Sequence, residues 1–488
     1  MDPRSIRRCV PVMVVFALAL MHGVAGAQAQ EAPVAFTGAR IIPVDAPEID
    51  AGVVVVHKGK IVAVGPAATT VIPVDAKRVD CAGKVIMPGL VDTHSHLGGI
   101  AGADGSSTVQ PDVRVMDSIN PADSGFRRAL AGGLTTLNIM PGSGHLLSGQ
   151  TVYVKLRAVP GAEPRDGVVV RIEDLAIRNA DGTIAGGIKM ANGTNPMRDA
   201  PFSSTRGKHA AIVRQMFIDA QQYARKLAEA TAPDGTVNAE KVPARDLGKE
   251  ALGKALSRSA IIHHHTHRAD DIATVLRISE EFNLRVVLQH VSEASLIPAQ
   301  IKEAQDAGRV LGCSVILIDS PGGKLEAVNL NYDTGRILDE AGVLVCFHTD
   351  DWITDSRLFL RMAALAVRAG MKRDSAIKAL TINGAIMMDL QDRIGTLTPG
   401  KDADLVILSG DPFSVYTKVE QTWVEGSLVF DRSRPVDRLH AVGGWGAGRD
   451  QEPYFCCFGS GSFAFKGQQY QFGGGNSAAT DAADTQAK

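Results

Sequence analysis

Between residues 88 and 390 short apolar runs alternate with longer amphipathic segments, and that alternation restricts the chain to a parallel α/β architecture. After a strand launched by Pro88-Gly89, further strands are expected at 134–140, 187–190, 261–265, 284–290, 310–316 and 343–350. Helices fall between them. Over 210–227, Val213, Met216, Phe217, Ala220, Ala224 and Leu227 recur mostly at three- and four-residue steps. The last helices are expected at 357–369, stopped by Gly370, and at 375–390. About eight strand–helix units fit this span, the number a closed (β/α)8 barrel needs. An open doubly wound sheet is the competing arrangement.

The flanks read differently. Residues 33–85 break into short strands at 34–36, 39–44, 52–58, 60–64 and 84–87, and 394–431 return to strands at 405–408, 421–424 and 427–430. The two ends are expected to share one composite β-domain. Arg4, Arg7 and Arg8, an apolar stretch over 10–21 and small residues up to Ala27 or Ala29 read as a secretory signal. The expected order is a signal peptide at 1–29, β-strands at 30–87, the α/β barrel at 88–392, β-strands at 393–435 and a flexible Gly/Ser-rich tail at 436–488. Such a protein would be periplasmic or secreted, with no stable membrane span after signal removal. With 51 basic against 53 acidic residues, no nucleic acid or anionic membrane surface is expected as a partner. Cys81, Cys313 and Cys346 lie in apolar contexts that suit buried thiols, whereas Cys456 and Cys457 are adjacent and their pairing stays open.

Chemistry concentrates at the strand ends. Pro88-Gly89-Leu90-Val91-Asp92-Thr93-His94-Ser95-His96 carries an apolar run into alternate histidines, so His94 and His96 project to one face with Asp92 a layer below. Two imidazoles side by side can ligate one metal ion. Asp350 closes the apolar strand that holds Val343 to Phe347, and a buried carboxylate there needs a cation or donors. Asp351 replaces it if the register slips by one, and His348 could brace it. His263, His265 and His267 alternate inward and His264 outward, which leaves His263 or His265 as the ligand. His290 ends its strand just before Ser292, an expected N-cap, and Asp270 and Asp271 are expected to cap the preceding helix. Gly142 to His145 and Ser148 to Gln150 are expected to line the pocket. Arg198 and Arg268, with forked donors, could take a substrate carboxylate, and His267 could touch substrate.

Six segments then resemble the amidohydrolase superfamily, in its imidazolonepropionase-like and prolidase-like branch. They are PGLVDTHSHLG at 88–98, GGIKMANGTNP at 186–196, HHHTHRADDI at 263–272, LQHVSEA at 288–294, HTDD at 348–351 and GTLTPGKDADLVIL at 395–408. The resemblance covers about residues 33–432 and implies a TIM-like (β/α)8 barrel with a small composite β-sandwich built from both chain ends. It implies that His94, His96 and Asp350 hold an inner metal, that His265 and His290 hold an outer one, and that Asp350 is also the catalytic base. Lys189 falls where prolidase-like members carry a carboxylated lysine bridging two metals, although Ala191 to Pro196 depart from their glycine-rich pattern. One or two divalent ions follow, with zinc fitting the donors best and iron, manganese or cobalt competing. The implied activity is hydrolysis of an amide or peptide C–N bond by a metal-activated water, on a small molecule or short peptide, with a dipeptidase-like substrate favoured. The runner-up is a mononuclear cyclic-amide hydrolase or deaminase, and after it a metal-binding barrel without turnover. The β-domain and outer helices leave surfaces on which a homo-oligomer could form.

Overall fold

The computed structural model describes residues 32–100, 104–158, 170–199, 203–317, 324–351 and 353–443. The expected signal peptide, Cys456, Cys457 and most of the expected tail lie outside them. Strands β1 (Val34–Ile41), β2 (Ile49–His57), β3 (Lys60–Pro66), β4 (Lys77–Asp80) and β5 (Val85–Pro88) precede the alternating region. Next come β6 (Leu90–Ser95), β7 (Leu134–Ile139), β8 (Leu147–Gln150), β9 (Val152–Lys155) and β10 (Ile188–Ala191). They are followed by β11 (Ile262–Thr266), β12 (Val286–His290), β13 (Val310–Val315) and β14 (Val345–Phe347). The last strands are β15 (Leu405–Leu408), β16 (Val419–Val424) and β17 (Ser427–Asp431).

Strands β10 to β14 pair in parallel in chain order, and β6 pairs in parallel with β7. A parallel bridge between Ser95 and Asp351 links the ends of β6 and β14. Between β7 and β10 the chain runs antiparallel to both, through β9 and β8 respectively. The fold is therefore α/β and TIM-barrel-like, with an antiparallel run between β7 and β10 that includes residues 148–150, expected to line the pocket. Side chains alternate along the parallel strands. Val286 and Leu288 join the main apolar core, while Val287 packs with Ile261, Cys346 and Met387 in a separate floor. Above that floor lies a polar belt, in which Thr93 Oγ1 meets Ser314 Oγ at 2.7 Å and Gln289 donates to His263 Nδ1 at 3.2 Å.

One further sheet orders its strands β17-β16-β15-β5-β1-β2-β3, with β4 also on β1, so strands from both ends of the chain share it. Its strand β2 is buried on both faces. Val54 and Val56 pack with Phe36, Ile61 and Trp423, and Val53 and Val55 pack with Ala35. The fully buried Lys155 of β9 reaches Asp402, Asp404 (2.9 Å) and Glu425 (3.3 Å), which joins this sheet to the α/β region by charge.

Two helices depart from expectation. The segment 375–390 forms Arg373–Leu380 and Ile382–Ile386, broken at Thr381, whose hydroxyl donates to the Ile377 carbonyl at 2.8 Å while its backbone leaves the helical region. The start of the expected flexible tail is a helix, Pro435–Val442. Proline suits its first turn, the Asp437 carboxylate accepts the Asp431 N–H at 2.9 Å, and Arg357 donates to the Gly443 carbonyl at 2.7 Å.

Candidate metal centre

His94 and His96, at the end of β6, bring their Nε2 atoms to 3.2 Å of each other. Both face Oδ1 of Asp350, at 3.4 and 3.0 Å. His96 donates from Nδ1 to the Met140 carbonyl at 2.7 Å and His94 from Nδ1 to Gln289 Oε1 at 3.3 Å, so each ring turns an Nε2 lone pair inward. Lone pairs aimed at a carboxylate repel it unless positive charge is held among them. Part of that charge comes from Lys189, which is fully buried on β10 and places Nζ 3.0 Å from His94 Nε2 and 3.2 Å from Met140 Sδ.

Asp350 reaches this position through a left-handed backbone, φ 48°, and its N–H bonds the His94 carbonyl at 2.9 Å. Asp92 ties the two strand ends together. Its carboxylate accepts the His94 and Thr349 N–H groups, each at 3.1 Å, and the Thr349 hydroxyl. Burial pushes the Asp92 carboxyl up to about 7. Burial pushes the Asp350 carboxyl up as well, but the facing His96 and His348 rings and the Lys189 ammonium carry it far below the usual carboxylate range. Asp350 is thus an anion at neutral pH.

His290 also has positive φ, 72°, which swings its ring into the interior beside the amide side chain of its neighbour Gln289. Its Nδ1 lies 2.9 Å from His348 Nε2 and 3.7 Å from Asp350 Oδ2, and His348 Nδ1 meets Ser314 Oγ at 2.7 Å. His265 and His267 complete the array from β11 and the residue just past it. Among the described residues, three sets have ligand atoms within 4.8 Å of one another: His94, His96 and Asp350; His94, His290 and His348; and His265, His267 and His290. Burial, followed by nearby cationic and histidine groups, holds His94, His265, His267 and His290 well below the ordinary histidine range. They are neutral imidazoles, the form that ligates a metal. His265 Nδ1 and His290 Nε2 are buried with no hydrogen-bond partner among the described residues, so the donor set fits a divalent cation.

All six residues expected as ligands (His94, His96, Lys189, His265, His290 and Asp350) come together. Of the alternatives, His263 sits in the polar belt, with Nε2 2.9 Å from Tyr153 OH, and Asp351 turns to Ser356 and Arg128. His145 is buried, which takes its imidazole down to about 4 with help from the Arg198 charge. Arg198 is half-buried, and its Nη1 donates to the Asn195 and Met197 carbonyls at 2.6 and 2.8 Å. Arg268 is not at the centre. It precedes the helix Ala269–Glu281 and forks onto Asp270 at 2.9 and 3.0 Å on the surface. Neither Asp270 nor Asp271 caps that helix, whose N-cap is Arg268; Asp271 instead binds Arg206 at 2.9 Å. Ser292 caps nothing and meets His267 Nδ1 at 2.8 Å.

The sequence reading missed two residues here. Lys324 Nζ lies 3.0 Å from His267 Nε2, 3.4 Å from His265 Nε2 and 3.1 Å from Glu326 Oε1. Glu326 is buried and accepts the Thr194 N–H at 2.7 Å. Neither residue stands in a motif or at a strand end, so no local signal marks them.

A family model described as "Amidohydrolase family" matches residues 85–429. Amidohydrolase tasK of Hapsidospora irregularis is 26% identical over 377 residues, which cover 74% of this chain and 38% of that protein. The chain spans less than half the length of the first curated relatives it matches. The crystal structure of an amidohydrolase from Thermotoga maritima MSB8 superposes with a TM-score of 0.72 at 33% identity, covering 82% of this chain and all of that one. A prolidase complexed with N-methylphosphonate-L-proline shares the fold, with a TM-score of 0.51 at 18% identity over 82% of this chain and 100% of that one.

Proposed function

The chain belongs to the amidohydrolase family, and from that premise we propose that it hydrolyses the C–N bond of an amide or peptide, with a dipeptide-like substrate. The observation that carries this reading is the contiguity of two ligand groups: His94, His96 and Asp350 on one side, His265, His267 and His290 on the other, with Lys189 against His94. A divalent cation bound there, zinc on this reading, supplies Lewis acidity that polarises a carbonyl and favours hydroxide near neutral pH. Lys189, once its ammonium has lost a proton, would add carbon dioxide at Nζ with loss of a second proton, and the carbamate would offer one oxygen to a cation held by each ligand group. Asp350 takes the proton of the attacking water on its carboxylate and returns it to the leaving nitrogen. Asp92 and Thr349 keep that carboxylate against His94 and His96, and the histidine second nitrogens, held by Met140 O and Gln289, keep the rings from rotating. His145 and Arg198, beyond β7 and β10, contact the substrate.

The reading extends to the whole chain. Residues 88–392 form a closed barrel and 30–87 with 393–435 a composite β-sandwich, supported by the sheet that both ends share. Removal of 1–29 delivers the enzyme outside the cytoplasm. A second reading, one metal and a cyclic amide, is favoured by the completeness of the His94, His96 and Asp350 set without Lys189.

Elemental analysis of protein purified without chelators and with bicarbonate, beside Lys189→Met, tests the proposal, with a dipeptide panel assayed on both. Two ions per chain are expected, falling to one in the variant, with loss of dipeptide hydrolysis. One ion in both proteins supports the mononuclear reading. No metal, even after added zinc, overturns the catalytic reading.

A further inference from the structure

Lys324 stands outside the proposed ligand set yet in contact with it. Its Nζ lies within hydrogen-bond distance of His267 Nε2 (3.0 Å) and near His265 Nε2 (3.4 Å). The amine is held from behind. Glu326 Oε1 pairs with it at 3.1 Å, and Glu326 is itself pinned by the Thr194 N–H at 2.7 Å. Gly193, at φ 78°, leaves room for that carboxylate, since a Cβ there would stand 2.4 Å from Glu326 Oε2. The Glu326 side chain is 1% exposed and that of Lys324 is 20% exposed, so the acid is buried and the cation faces the approach.

A second cation shares the same loop. Arg198 follows Thr194 by four residues, donates to two carbonyls of its own loop, and has no carboxylate ion-pair partner among the described residues. The segment after β13 therefore places the Lys324 ammonium against two imidazoles of the outer group. A neutral substrate has no use for an ammonium fixed in this way. An anionic one does, because a charge-assisted bond in a partly desolvated site is worth far more than one in water.

Resting on the hydrolase reading, we propose that Lys324 binds the free carboxylate of the substrate, which makes the substrate class N-acyl amino acids and dipeptides with an unblocked C-terminus. Glu326 is a positioning residue: it keeps the ammonium beside His265 and His267 so that the carboxylate lands next to the scissile amide. Lys324 acts in binding and not on the developing negative charge of the reaction.

The test uses the full metal-loaded enzyme, wild type, Lys324→Met and Lys324→Arg, with N-acetyl-L-amino acids and the corresponding carboxamides. Wild type should bind the acid about tenfold or more tighter than the amide, by calorimetry and by KM, the range expected for one charged hydrogen bond. Lys324→Met should bring the two within about twofold, chiefly through KM, and Lys324→Arg should restore part of the preference. Metal per chain is measured on all three proteins. Equal acid and amide binding by wild type overturns the proposal, as does a loss of kcat on both substrate types, which would place Lys324 on the reacting carbonyl. A loss of metal from Lys324→Met also overturns it, because the lysine would then be organising the histidines. The calorimetric arm needs no turnover, so acid-selective binding without hydrolysis would count against the hydrolase reading and not against Lys324.

Discussion

At His290 the backbone takes positive φ, 72°, and the side chain thereby leaves the alternation of its strand, whereas Asp350, with φ 48° past the end of β14, shares the interior side with His348. Alternation correctly separated His263 and His265 from His264, because β11 is regular there. It could not place Gln289 and His290 on the same interior, since consecutive residues of a regular strand face opposite ways. Such twists at element ends are held by partners elsewhere, here Asp92 and the His94 carbonyl for Asp350. Asp350→Asn keeps the shape and removes the charge. Its kcat on the wild-type substrate should fall about 10²–10⁴-fold, the usual contribution of a general base, with an unchanged far-ultraviolet circular dichroism spectrum. Activity within tenfold of wild type would take the base role away from Asp350. At this scale the histidines and Asp350 were legible because each ends an apolar run, whereas Lys324 and Glu326 were not, because neither does.

The loops after β10 and β13 meet as elements. Thr194 donates to Glu326, and Gly193 passes close over the same carboxylate with φ 78°. Gly193→Ala combines backbone strain with a displaced Glu326, so it should lower stability by about 1–3 kcal/mol, read as a lower urea midpoint with an unchanged slope. A midpoint equal to that of wild type would mean the loop relaxes freely and does not pin Glu326. Most parallel strands could be read from the chain because their apolar runs are short and bounded by glycine, proline or polar residues. The antiparallel run through β8 and β9 could not. Ser148-Gly149-Gln150 reads locally as a pocket loop, and its strand character comes from pairing with β10 and β7. Likewise the helix break at Thr381, where the backbone leaves the helical region, leaves no mark in the periodicity of 375–390.

Across the whole molecule, Lys155 with Asp402, Asp404 and Glu425 fastens the sheet shared by both chain ends to the α/β region. Lys155→Met would strand these carboxylates without their buried cation and should cost about 3–5 kcal/mol at pH 7 by urea denaturation. The pH limits follow from sign. Burial pulls the Lys155 ammonium down, but Asp404, Glu425 and Asp402 carry it above its ordinary value, so its stabilisation is intact at neutral pH and is lost only as pH rises past about 10.5. Burial raises Asp402, yet Lys155, Lys60 and Arg393 hold it below the ordinary range. Its share is complete above about pH 4 and is lost as pH falls further. A variant within 1 kcal/mol of wild type at pH 7 would mean the cluster contributes nothing to holding the two regions together. By itself the sequence determined which residues end strands and that the chain is α/β between 88 and 390, because apolar run length and side-chain alternation are local properties. Only the tertiary structure decided which of those residues share one centre, and which cations and acids face it, because these meet through pairings between segments far apart in the chain.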